Sequence, residues 1–367
     1  MPASKPDISN YAKDRALLVE VVRKAGGIAK EAFMANDSKV WDKEKGHPVT
    51  DADIAVNDFL ARELLNARPN YGWLSEETKD DDSRRNCSKC FVVDPIDGTR
   101  AFIDRTANFS VSVAIIENGV SVAGAVYNPL NDEMYAAHLG GGATLNDTPI
   151  KARDSDQLDD IRMVGYARKF RRLGWPDMNV SVINSMAYRM VKVACGDEHA
   201  AVAFTPKSDW DVAAAELICT EAGAMVTNLR GVKPRYDQDS VSGLGIICAS
   251  PTLHALIRER IDPVISQFEV SPDRKKDFGF LGTRMTDRND PDVQLLHLVI
   301  GGELTDPMRT NFRNLSEVDF VGAFPDFETA RAAWKAAAQR TVDNAHMRYF
   351  ILHAHELIDP DKDGVIG

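Results

Sequence analysis

Cysteine is scarce: the 367 residues contain five, Cys87, Cys90, Cys195, Cys219 and Cys248, odd in number and scattered. That excludes a disulfide framework as the basis of the fold and points to reduced thiols. No apolar run approaches the ~18 residues that a membrane-spanning helix needs. The opening Met1-Pro-Ala-Ser-Lys-Pro-Asp carries no hydrophobic signal segment, so a cytoplasmic protein without membrane attachment is expected. Positive charge is also in deficit. Lys+Arg 44 against Asp+Glu 55 leaves a formal net charge of −11, a balance that repels polyanions and argues against a nucleic-acid polymer as partner. What is present is ordinary for a folded chain: 44% hydrophobic and 27% charged residues exclude wholesale disorder and fibrous architectures. At roughly 100 to 200 residues per domain, the length predicts two or three domains.

Apolar periodicity read against Gly and Pro punctuation separates three regions. Helical spacing runs from Tyr11 to Phe33, and a second helix is predicted to start after Thr50 and end near Ala67. Strand-like runs follow at Phe91-Val-Val, Ser110 to Glu117, Val120 to Asn128 and Glu133 to His138, broken by Asn118-Gly119 and Asn128-Pro129; they predict a meandering antiparallel sheet. From Ile161 to about Gln267 strands and helices alternate, with a helix from Asp211 to Ala222 closed by Gly223, as in a layered α/β unit. The charged stretch at Ser271 lacks periodicity and reads as a linker. Beyond it, strands at Val293 to Ile300, Asp319 to Phe324 and Met347 to His353, with a helix Phe327 to Val342 capped by Asp326, predict a small α+β module.

The chemistry concentrates in acidic segments. Phe91-Val-Val-Asp94-Pro95-Ile96-Asp97-Gly98-Thr99 runs an apolar strand into two carboxylates, and Gly98 allows close backbone approach to an anion. Such hard oxygen donors suit Mg²⁺ beside a phosphate, although Asp-Pro and Asp-Gly are also turn dipeptides. Ser75-Glu76-Glu77 follows apolar Trp73-Leu74, which puts another acid at a strand end. Trp210-Asp211 opens a helix with Asp as N-cap, and its small residues permit close approach to a neighbouring loop. Thr50-Asp51-Ala52-Asp53 fits a capping box with Thr50 as cap. Each element alone is ambiguous.

In order, Pro48-Val49-Thr50-Asp51-Ala52-Asp53, Leu74-Ser75-Glu76-Glu77, Asp94-Pro-Ile-Asp97-Gly-Thr99 and Trp210-Asp211-x-Ala-Ala resemble the motifs of the inositol monophosphatase superfamily over about residues 10 to 265. The resemblance implies an α/β fold, an alternating αβαβα layered sandwich over residues 1–268 with subdomains of about 1–150 and 151–268. A linker at 269–282 and the α+β module at 283–367 complete the expected organisation. It also implies two or three Mg²⁺ ions, hydrolysis of a small phosphorylated substrate, inhibition by Li⁺ and a homodimer. The implied metal ligands are Glu76, Asp94, the carbonyl of Ile96, Asp97 and Asp211. Thr99, held by Asp53, would orient a water, Glu76 would help to accept its proton, and the N–H groups of Gly98 and Thr99 would cradle the phosphate.

Substrate preference is read from departures. Inositol-specific members carry an acid before the Trp-Asp pair, where this chain has Phe204. The Leu-Ser-Glu-Glu form and a basic Arg189 look more like the bacterial 3'(2'),5'-bisphosphate nucleotidases, which convert 3'-phosphoadenosine 5'-phosphate to AMP. Arg189, and after it Lys207, would meet the second phosphate, although the branch's Ser-Ser-Leu-Lys reads Met186-Ala-Tyr188-Arg189 here. Inositol 1-phosphate or histidinol phosphate is the alternative substrate, and a non-catalytic phosphate-ligand sensor the alternative of another class. Cys87-Ser-Lys-Cys90 lacks a second ligand pair for zinc, and Asp359-Pro-Asp361-Lys-Asp363-Gly364 opens like an EF-hand loop without the Glu such a loop ends on. The segment from Thr283 to Leu357 is similar to a small bacterial domain family of unknown function, for which a structural or dimerising role stands beside a ligand-sensing one.

Overall fold

The computed structural model describes residues 8–44, 47–80, 82–236, 242–268, 297–305, 312–325, 327–341, 344 and 346–353. Contacts along the backbone divide the chain into two compact units, Met1–Gly279 and Phe280–Gly367.

In the first unit α1 (Ile8–Ala35) leads to a hairpin of β1 (Val40–Glu44) and β2 (His47–Thr50), and then to α2 (Asp51–Ala67). The major sheet follows: β3 (Gly72–Ser75), β4 (Lys89–Asp97), then, after the short helix α3 (Thr99–Ile103), β5 (Ser110–Glu117), β6 (Val120–Asn128), β7 (Glu133–His138), β8 (Ala143–Leu145) and β9 (Thr148–Pro149). Its seven strands lie in sequence order. Pairing is antiparallel from β4 onwards, as alternation and tight Asn-Gly turns predict, but β3 and β4 run parallel. The antiparallel meander expected of the four runs is found as β4 to β7, and β3 adds a parallel edge strand outside that expectation.

The second sheet is built from β10 (Arg162–Val164), β11 (Asn179–Ser181), β12 (Ala200–Ala203), β14 (Met225–Thr227) and β16 (Ile246–Ala249) in the order β11-β10-β12-β16-β14. Between its strands lie α4 (Ala167–Arg172), α5 (Met186–Ala194), a two-residue strand β13 (Lys207–Ser208) paired with β15 (Ser242–Gly243), and α6 (Asp209–Glu221); α7 (Pro251–Ile261) closes the unit.

Three buried clusters hold these layers together. One, with Leu18, Val22, Leu60, Phe91 and Val113, fills the space between α1, α2 and the major sheet. A second, with Val126, Tyr135, Met190 and Leu217, packs α5 and α6 between the two sheets. The third, with Met163, Ile247, Leu253 and Ile257, seats α7 on the second sheet. The order is therefore helices, sheet, helices, sheet, helix: an αβαβα sandwich. The small residues of α6 serve a different neighbour from the loop expected. A Cβ at Gly124 of β6 would lie 2.9 Å from the Ala214 carbonyl oxygen, so it is the sheet that the helix approaches closely.

The second unit contains a three-stranded antiparallel sheet, β18 (Asp319–Phe324), β17 (His297–Glu303) and β19 (Met347–His353), with α8 (Phe327–Arg340) contacting each strand. Val299, Ala330, Ala337 and Tyr349 form its buried interior. The predicted linker at 269–282, the Asp326 cap and the EF-hand-like tail lie outside the described residues.

Candidate metal centre and active site

Residues three apart on a regular strand face opposite sides of a sheet. Asp94 pairs with Ser112 while Asp97 pairs with Ser110, so three steps along β4 match two along β5. This bulge supplies the one extra residue that returns Asp97 to the side of Asp94. Pro95 is tolerated within it because a bulged position need not donate to the ladder.

Asp211 arrives from α6. Ser208 is the N-cap of that helix, and Asp211 is its third residue, one carboxylate oxygen accepting the Ser208 N–H at 2.8 Å. The sequence reading put Asp211 itself at the cap. It belongs one turn inside, where its carboxylate reaches back to satisfy the cap's amide. One ligand oxygen from each of Asp94, Asp97 and Asp211 lies within 4.8 Å of the others.

Asp97 is held firmly. Ser185 Oγ donates to it at 2.5 Å, and the Ala187 and Met186 N–H groups at the start of α5 donate at 2.6 and 3.0 Å. Asp94 is the opposite case: it is 2% exposed, and its Oδ1 has no hydrogen-bond partner among the described residues. Burial pushes the Asp94 carboxyl well above the usual range, and the neighbouring charges of Glu76, Asp97, Asp211 and Asp53 push it further. Asp97 rises to about 6, driven first by burial and then by Asp211, against its three donors. Asp211 is raised by burial, which Lys207, the Ser208 amide and Arg189 oppose.

Glu76 directly follows β3, and its N–H bonds the Val93 carbonyl at 3.1 Å, one residue from Asp94. After burial, its charge is the largest influence on Asp94, although it is not among the three oxygens that converge within 4.8 Å. Beside this group Thr99 Oγ1 lies 3.2 Å from both Asp53 Oδ1 and the Ile96 carbonyl. The other Asp53 oxygen takes the Thr50 hydroxyl at 2.5 Å and the Thr50 N–H at 2.8 Å, closing the capping box expected at the start of α2. Burial pushes Asp53 up to about 6 in spite of these donors. Gly98 has φ +95°, and a Cβ there would sit 3.0 Å from the Asn108 carbonyl and the Ser185 amide, so any other residue would be both strained and crowded.

The charges of Lys207 and Arg189 both lower the pKa of Asp211. Arg189 is only 5% exposed, and its guanidinium donates to the carbonyls of Ile183 and Asn184. Ser185 went unread in the sequence. Its signal was an ordinary helix cap, a Ser before an apolar helical stretch, and nothing local says that the cap also holds an acid 88 positions away.

The sequence profile of the inositol monophosphatase family matches residues 10–266. The chain belongs to the inositol monophosphatase family. A second profile, a domain of unknown function (DUF4170), matches residues 295–354. An inositol-1-monophosphatase of Mesorhizobium japonicum is 31% identical over 242 residues, 61% of this chain and 89% of that protein. Among solved structures, the extragenic suppressor protein suhB of Bartonella henselae aligns with a TM-score of 0.60 at 25% identity, covering 68% of this chain and 98% of that one. A 2'AMP-bound SaIMPase-II aligns at 0.58 and 25% identity, covering 71% and 97%.

The inositol monophosphatase domain is thus that of a metal-dependent phosphomonoesterase, a hydrolase acting on small phosphorylated substrates. Its donor set fits the Mg²⁺ on which the family generally depends. The carboxylates are all hard oxygen donors, and an orphaned buried oxygen stands among them. Among the described residues no helix is long and apolar enough to cross a membrane.

Proposed function

We propose that this chain hydrolyses a phosphate monoester with Mg²⁺ held by Asp94, Asp97 and Asp211, Glu76 and the Ile96 carbonyl completing the donor set. The observation that carries the reading is the partnerless Asp94 oxygen, buried beside two further carboxylates, an arrangement that is costly without a cation. When bound, Mg²⁺ neutralises phosphoryl charge and makes a coordinated water more acidic.

The protein's own contribution is position and proton handling. Thr99 has one proton and two acceptors within 3.2 Å. Donating it to Asp53 leaves the hydroxyl's lone pairs to orient a water. Asp53, fixed by Thr50 and raised to about 6, can take up a proton close to neutral pH, and Glu76 shares that task. The N–H groups of Gly98 and Thr99 would hold phosphoryl oxygens with donors already in place. A phosphate sensor would need none of the Thr50–Asp53–Thr99 relay.

For the substrate we favour 3'-phosphoadenosine 5'-phosphate. Phe204 is buried against Phe170 and Trp175 and offers nothing to ring hydroxyls, while Arg189 and Lys207 place positive charge beside Asp211. The 2'-AMP complex of SaIMPase-II supports a nucleotide phosphate at such a site. The name of the Mesorhizobium relative supports inositol 1-phosphate as the second reading. Phosphate release from 3'-phosphoadenosine 5'-phosphate, inositol 1-phosphate and histidinol phosphate, with and without Mg²⁺, decides between them. No Mg²⁺-dependent release from any ester would overturn the reading.

A further inference from the structure

Outward from Asp211 the cations continue beyond Arg189 and Lys207. Lys169, on α4, is half-buried, and its ammonium lies 5.9 Å from the centroid of the Phe204 ring. Its pKa is lowered first by burial and then, beyond an opposing influence of Tyr166, by the like charges of Lys207 and Arg189. Among the described residues none of these three cations forms an ion pair. Tyr166, the N-cap of α4, is 50% exposed, and the Arg189 guanidinium carbon stands 5.4 Å from its ring centroid.

Three unpaired positive charges, one of them on a nearly buried Arg, are mutually repulsive and gain most from an anion brought between them. Polyol recognition needs the reverse at this wall, an acceptor for hydroxyl groups. Here Phe204 is locked into an aromatic cluster with Phe170 and Trp175, and an ammonium covers its ring. The Phe204 side chain offers no acceptor to a hydroxyl, and the charge beside it is positive.

We propose that Lys169 and Tyr166 form, with Arg189 and Lys207, a second-anion subsite, at which Lys169 selects phosphate esters bearing another anionic group and Tyr166 flanks the planar base of such an ester. This rests on the phosphatase reading and narrows it: the substrate is a bis-anion. Lys169 is a specificity residue that touches the non-reacting end of the substrate, so its loss acts mainly on KM.

The test compares kcat/KM of the full chain for 3'-phosphoadenosine 5'-phosphate and adenosine 3'-phosphate, esters that differ only in the second phosphate. The parent prefers the former, and Lys169→Ala lowers the ratio about 10- to 100-fold, as expected for a lost charge-assisted contact, while Lys169→Arg retains most of it. An unchanged ratio, or equal losses on both esters, overturns the proposal while leaving the phosphatase reading intact. A second arm measures adenosine 5'-phosphate against adenosine by calorimetry in EDTA, where the bare carboxylates repel phosphate and only the cationic wall can reward it. A preference of about tenfold or more that Lys169→Ala abolishes supports the subsite even if no ester is hydrolysed, the outcome that would defeat the phosphatase reading alone. Equal binding of the two ligands overturns the subsite.

Discussion

Asp94→Asn separates the cost of the carboxylate cluster from its use. Two unit charges 4.8 Å apart, the span of the Asp94–Asp97–Asp211 oxygens, repel by about 3 kcal/mol at an effective dielectric of about 20. Protonation relieves part of this, because burial and the neighbouring acids raise the pKa of Asp94 and bring that of Asp97 to about 6. Metal-free protein at pH 8 should therefore gain about 1 to 3 kcal/mol from the substitution, or at about 2 to 4 °C per kcal/mol a rise in Tm of several degrees. The sign with pH follows from the same shifts. The folded cluster holds protons that the unfolded carboxylates release near 3.8, so its contribution falls as pH rises from there through 6, and Asp94→Asn should flatten that fall. Mg²⁺ reverses the ranking. At a hundredfold excess over its Kd the ion adds about 2.7 kcal/mol to the parent, about 5 to 10 °C, and little to the variant. Differential scanning fluorimetry in EDTA and in Mg²⁺ reads both effects. A variant less stable than the parent in EDTA, or one that keeps the parent's full Mg²⁺ shift, would refute the reasoning.

Thr99→Ala should reduce kcat by about 10² to 10⁴ with little change in KM, and Thr99→Ser should restore most of it, measured by phosphate release. Asp14, 1% exposed, accepts from Arg68, Lys89 and the Tyr71 hydroxyl, each at 3.0 Å, and ties α1 to the end of α2 and the start of β4. Asp14→Ala should cost about 3 to 5 kcal/mol in urea unfolding, because two cations lose their buried counter-charge; a loss below 1 kcal/mol would show the cluster to be solvated. His254 is buried against Thr227, and burial pushes its pKa down to about 4. The unfolded imidazole takes up its proton first, so the stability that His254 contributes is complete above about pH 6.5 and is lost as pH falls towards 4. His254→Asn should remove that slope from the pH dependence of Tm.

Local chemistry made much of the fold legible. Strands β5, β6 and β7 begin and end where apolar runs meet Asn118-Gly119 and Asn128-Pro129, and both Asn118 and Gly119 adopt the positive φ that such a turn requires. Thr50 and Asp53 cap α2 as their spacing predicts. What escaped the sequence depends on partners far along the chain. An apolar strand reads the same whether its neighbour runs parallel or antiparallel, so the β3–β4 direction was hidden. The bulge that turns Asp94 and Asp97 to one side exists only in the register with β5. A serine capping α5 gives no sign that the same hydroxyl will hold Asp97. The acids of the site and the Thr50–Asp53–Thr99 contacts could be read; the bulge that turns Asp97 and the Ser185 that holds it could not.

The central claim is that Asp94, Asp97 and Asp211 together bind a divalent cation. A crystal soaked in Mn²⁺, mapped by anomalous scattering, tests it directly. The account predicts a strong peak bounded by these three carboxylates, with Asp94 Oδ1 in contact. Strong peaks elsewhere, with the three carboxylates unliganded at saturating Mn²⁺, would contradict it.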